Sequence, residues 1–128
     1  MSEVGGSVYF REGDGWEPAE LYGLPEGCEY RLIRQDEANG EVVAFCRFPP
    51  GYREPRHEHE AEHWSVVVEG EMHVEGRVLR PGDVFNGPSG KPHGPFEYPQ
   101  GAVIFTVARG GSILHRFDDA APAPGPED

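Results

Sequence analysis

The chain is short of basic residues, of cysteine and of long apolar runs, and each shortage removes a class of function. Lysine and arginine number 11 against 23 aspartates and glutamates, a formal charge of −12. Such a surface repels phosphate backbones, so no nucleic acid partner is expected. Near the histidine-rich stretch described below, only Arg47, Tyr52 and Arg53 offer a local site for an anion. The two arginines read more simply as solvated edge charges. No apolar run approaches the roughly 20 residues of a membrane helix, so no membrane partner is expected. The opening stretch MSEVGGSVYFREGDGWEP has no basic start and no apolar segment after it, unlike a secretory signal. Two cysteines, Cys28 and Cys46, are too few for a disulfide scaffold and lack zinc-knuckle spacing. A reducing, cytoplasmic setting is the expectation. Cys46, inside EVVAFCRF, reads as a small buried hydrophobe, with metal ligation the lesser reading.

A convincing amphipathic helix is also missing. Glycine (18) and proline (13) are plentiful and fall between short apolar runs, the pattern of an all-β chain with tight turns. Candidate strands are 7–10, 30–35, 41–48, 63–70, 71–76, 77–82, 83–88, 93–98, 102–108 and 112–117. Asn39-Gly40 reads as a hairpin turn. Trp16 and Tyr22 are expected to pin the first thirty residues to the body. With 128 residues, one domain is expected over 1–117, followed by a disordered tail over 118–128.

The stretch RHEHEAEHW, residues 56–64, places His57, His59 and His63 within seven positions. It matches two metal motifs. His59-Glu60-Ala61-Glu62-His63 is an HExxH, which needs several helical turns so that both histidines share a face. Pro55 precedes it and three consecutive valines, stiff at χ1 and suited to strands, follow closely. The helix therefore does not fit. In a strand, residues 57, 59 and 63 share parity and point inward, while Glu58, Glu60 and Glu62 point to water. A bulge between 59 and 63 would instead bring Glu62 inward as the ligand in place of His63. Three imidazoles buried together conflict unless a metal accepts their nitrogens.

Downstream lies PGDVFNGPSGKPHGPF, which carries His93 out of a rigid turn. Here the chain resembles the cupin superfamily. Gly51, five residues, His57-Glu58-His59, three residues, His63, six residues and Gly70 match the first cupin motif. Gly82, five residues, Pro88-Ser89-Gly90, two residues, His93, three residues and Glu97 match the second. His63 stands where glutamate is usual, and Glu97 where asparagine is common. The resemblance covers about residues 41–108. It implies a double-stranded β-helix (cupin, jelly-roll) barrel. It also implies a four-histidine metal set, His57, His59, His63 and His93, as in a subgroup of small cupins. No catalytic role for Glu97 follows. His73 reads as a surface residue and His115 as a structural one.

Imidazole suits Mn, Fe, Ni, Cu and Zn, so one divalent transition metal is expected without a choice among them. Four neutral ligands leave an octahedral ion its full charge and two open positions. That arrangement suits dioxygenase-type chemistry on a small chelating organic substrate. It also suits metal-dependent isomerase or lyase chemistry, and a non-catalytic metal- or ligand-binding module is a further reading. Phe45, Phe85, Phe96, Phe105 and Trp64 are candidates for an aromatic pocket. No second titratable group stands out as a general base. A homodimer through an exposed valine face is expected, as small cupins often form.

Overall fold

The computed structural model describes residues 5–19, 26–36, 38–111 and 116–117. The strands are β1 (Glu17–Pro18), β2 (Glu29–Asp36), β3 (Glu41–Phe48), β4 (Tyr52–Glu54), β5 (His57–Glu58) and β6 (Glu62–Gly70), followed by β7 (Met72–Val74), β8 (Arg77–Leu79), β9 (Val84–Gly87), β10 (Phe96–Tyr98), β11 (Ala102–Arg109) and β12 (Arg116–Phe117). No α-helix occurs among the described residues, which removes the support an HExxH would need. Tyr22, His115 and the tail lie outside the described residues.

All pairings are antiparallel. One sheet runs β1-β2-β3-β11-β6-β9, a second runs β4-β10-β7-β8, and β12 pairs with β5. Alternation explains the large sheet. On β3, Val42, Ala44 and Cys46 are buried while the residues between them are not. On β6, Ser65 and Val67 are buried while Val66 and Val68 are half-buried on the outer face. That outer face exposes Trp64 and, opposite Val66, Val84.

The two sheets close on one core. Cys46, Val67 and Ile104 from the large sheet meet Met72, Phe96 and Tyr98 from the small one. Each large side chain buried here contributes about 1.5–3 kcal/mol. Phe48 stacks on Tyr98 with ring centres 4.1 Å apart and planes 5° from parallel. Gly70 ends β6 with φ of 82°, and a Cβ there would collide with the Gly101 carbonyl. Only glycine satisfies both constraints.

Asn39-Gly40 does form the turn between β2 and β3, with the Glu41 amide donating to Asn39 Oδ1 at 3.0 Å. Residues 7–10, expected as a strand, form none, and Val8 and Phe10 are exposed. The edge of β2 is taken by β1 instead. Trp16 does anchor this region. The Arg47 guanidinium lies 4.1 Å from its ring centre, and its Nε1 donates to the Arg11 carbonyl.

Candidate metal centre

The histidines do not lie on one continuous strand. β5 ends at Glu58 and β6 begins at Glu62, with a bend between them. The bend is held by the loop that carries His93. The Gly90 amide donates to the His59 carbonyl at 2.9 Å, and Ser89 Oγ donates to the Glu60 carbonyl. Ala61 turns fully inward and packs with Val42, Ala44 and Ala108. The expected facing therefore survives, but by a different route. The loop supplies the hydrogen bonds that a sheet neighbour would have supplied.

His57 and His93 are joined through their backbones. The His57 amide donates to the His93 carbonyl at 3.0 Å, and the His93 amide returns a bond to His57 at 2.9 Å. This fixes the two histidine-bearing segments against each other. His57, His59 and His93 are 2%, 5% and 2% exposed, and each offers one nitrogen within 4.8 Å of the other two. The His63 ring centre lies 5.0 Å from that of His59 and 5.1 Å from that of His93. His57, His59 and His93 thus form the tight group, and the His63 ring packs against His59 and His93.

Second-layer contacts orient the rings. His57 Nδ1 lies 2.8 Å from the Pro55 carbonyl, His59 Nδ1 2.8 Å from Ala61, and His93 Nδ1 3.0 Å from Lys91. A carbonyl only accepts, so each Nδ1 carries the proton and each Nε2 presents a lone pair. His63 Nδ1 instead meets Ser65 Oγ at 3.3 Å, and that hydroxyl meets Thr106 Oγ1 at 3.2 Å. His63 Nε2 is buried without a hydrogen-bond partner. An orphaned nitrogen of this kind costs about 1–3 kcal/mol, which a metal ion at the focus of the rings would offset. Burial, then the neighbouring His59, His93 and His57, pulls the His63 pKa down to about 3, so the ring is neutral and able to ligate at ordinary pH. The donor set fits a divalent transition metal.

Gly87 makes room for this arrangement. A Cβ there would collide with the His63 imidazole and come within 3.2 Å of His93 Cε1. Gly87 was not singled out by the motif spacing, although its pairing with His63 across β9 and β6 is what sets the contact.

A cavity of about 80 Å³ adjoins the cluster, lined by His57, His59 and His63 together with Tyr30, Tyr98 and Phe96 among others. Of the aromatic candidates, Phe96 lines it. Phe85 packs beside His63 and His93 with ring centres 5.9 Å away in each case. Phe45 and Phe105 contact each other, and Trp64 is exposed. Cys46 also faces the cavity, and burial pushes its thiol up to about 12. It is a small buried hydrophobe, as expected.

Glu54 is the residue that sequence reasoning missed. It is 9% exposed, lines the cavity, and places Oε2 3.8 Å from His57 Nε2. A titratable group therefore does stand beside the histidines. Its strand parity with Tyr52 on β4 was the available signal. Arg53, on the opposite face, is not a solvated edge charge: its side chain is 15% exposed and pairs with Glu97 Oε2 at 3.0 Å. Arg47 is exposed and paired with Glu29, but it lies on β3 inside the large sheet and not at an edge. His73 is remote from the cluster and bonds Glu71.

A family model described as a ChrR cupin-like domain matches residues 16–112. No curated protein matches the chain. Among solved structures, an RmlC-like cupin protein from Ralstonia eutropha JMP134 is 21% identical with a TM-score of 0.63, over 74% of this chain and 62% of that one. The chain thus spans less than two thirds of that neighbour. An acetylacetone dioxygenase from Acinetobacter johnsonii is 16% identical with a TM-score of 0.65, over 85% of this chain and 78% of that one. An RmlC-like cupin from Shewanella frigidimarina NCIMB 400 is 26% identical with a TM-score of 0.62, over 82% of this chain and 93% of that one. The two packed antiparallel sheets are a cupin jelly roll.

Proposed function

We propose that this chain is a mononuclear metal-dependent enzyme, and the premise is its family: the chain belongs to the ChrR cupin-like domains of the cupin superfamily. The metal is held by His57, His59, His63 and His93, and the reaction is an oxygenation of a small chelating organic molecule. One observation carries the reading. Three buried imidazoles have their Nδ1 protons tied to carbonyls, and each offers a nitrogen within 4.8 Å of the other two, beside a cavity.

A bound transition metal would supply Lewis acidity and, for a redox-active ion, a site for dioxygen. The chain's own contribution is positioning. The carbonyls of Pro55, Ala61 and Lys91 hold three rings in the ligating tautomer. Phe96 and Ile104 help to exclude bulk water from the cavity. The small volume favours a substrate of a few heavy atoms. The acetylacetone dioxygenase among the structural neighbours is consistent with this chemistry.

The test is oxygen uptake by protein loaded separately with Fe, Mn, Ni, Cu or Zn, with small diketones and catechol-like compounds as substrates. Uptake with a redox-active metal, absent with zinc and absent in His59→Ala, is expected. Product formed without oxygen uptake would move the assignment to isomerase or lyase chemistry. Full metal loading with no turnover of any kind would leave a metal-binding module.

A further inference from the structure

We infer that Glu54 selects the substrate: the cavity favours small chelating molecules that are uncharged or cationic and present a hydroxyl or amine to Glu54, and it binds carboxylates more weakly than their uncharged analogues. The inference rests on the metal reading above and adds the class of molecule the site takes.

Position comes first. Glu54 ends β4 and turns its side chain inward, whereas Arg53 before it faces the other way, to Glu97. Its Oε2 is 3.8 Å from His57 Nε2. His57 Nδ1 is bound to the Pro55 carbonyl, so Nε2 is the nitrogen that carries the lone pair a metal would need. The carboxylate is therefore on the side of the ring where a metal would sit. It is not within the 4.8 Å group formed by His57, His59 and His93. It stands beside the ligands, where a molecule occupying an open metal position would meet it.

Charge comes second. Among the described residues that line the cavity there is no lysine or arginine. The polar groups facing it besides Glu54 and the histidines are the hydroxyls of Tyr30, Tyr98, Ser65 and Thr106 and the thiols of Cys28 and Cys46. Burial, with the Glu54 charge adding to it, holds the Tyr98 hydroxyl protonated. A second carboxylate brought in would face Glu54 in a water-poor space with no lysine or arginine to offset the pair, and that repulsion, far stronger than in water, works against its attraction to the metal. A hydroxyl or ammonium in the same place donates to Glu54.

Lactamide and lactate separate these cases. They have nearly the same shape and chelate through a hydroxyl and a carbonyl oxygen, but only lactate is an anion. Each is titrated into cobalt(II)-loaded protein and followed by the visible absorption of the cobalt. Glu54→Gln is expected to tighten lactate by about tenfold or more while lactamide stays within about threefold. Glu54→Asp, which keeps the charge, should leave lactate as weak as in the wild type. If Glu54→Gln moves both probes equally, or moves neither, the inference is wrong and the metal reading stands. A loss of cobalt affinity of more than about tenfold in Glu54→Gln would make Glu54 a ligand, which also overturns it. Wild-type protein that takes up no cobalt would remove the proposed function first, and the inference with it.

Discussion

Replacing Gly87 by alanine separates the fold from the centre. A Cβ at this position would run into the His63 imidazole and sit 3.2 Å from His93 Cε1. The backbone of β9 has no left-handed φ at Gly87, so alanine is conformationally acceptable and the conflict is purely steric. The cheapest relief is a swing of the His63 ring, since it is a side chain and the neighbouring strands are hydrogen-bonded. That movement takes His63 Nε2 away from the other three rings. The cost to the metal-free fold should be roughly 1–3 kcal/mol, as for other overpacked sites. The cost to metal affinity should be at least 10–100-fold, the usual loss when a ligand is no longer held in place. Metal affinity is read by chelator competition and apo stability by urea unfolding. A double-mutant cycle with His63→Ala gives the mechanism, because Gly87→Ala should cost much less once His63 is gone and only the 3.2 Å contact with His93 remains. Metal affinity unchanged in Gly87→Ala would refute the reasoning and leave a three-histidine centre without His63.

Two further predictions concern titration. His63 has a folded pKa depressed to about 3 against 6.5, so its contribution to apo stability is present above 6.5 and lost as pH falls through the folded value. Apo protein should lose stability below pH 6.5 by up to about 1.4 kcal/mol per pH unit from this group, and His63→Gln should flatten that dependence; an identical slope in the variant would count against it. Cys46, raised from 9.0 to about 12 by burial, contributes stability that is present below pH 9 and lost as pH rises toward 12. Its thiol should resist alkylation at pH 8 in folded protein and react fully in denaturant, as mass spectrometry would show; rapid labelling of folded protein would contradict its burial.

Much of this was legible because the information is local. β3 coincides with its predicted range, 41–48, since EVVAFCRF alternates cleanly and ends at prolines. The four histidines were visible through their spacing against Gly51, Gly70, Gly82 and Pro88. What was not legible depends on contacts between distant segments. The bend at residues 59–61 exists because Ser89 and Gly90 bond its carbonyls, which no window around the histidines contains. Glu54 is one acid among many in its stretch of sequence; only the closure of the small sheet against the large one buries it beside His57. Arg53 read as solvated because its partner, Glu97, lies across the β4–β10 pairing.

The central claim is that one metal ion is held where the four histidines meet. The direct measurement is metal content by mass spectrometry of untagged protein after reconstitution, with wild type beside His59→Ala and His93→Ala. The account predicts about one metal per wild-type chain and loss of it in both variants. Wild-type protein that remains metal-free, or variants that hold metal as fully as the wild type, would contradict it.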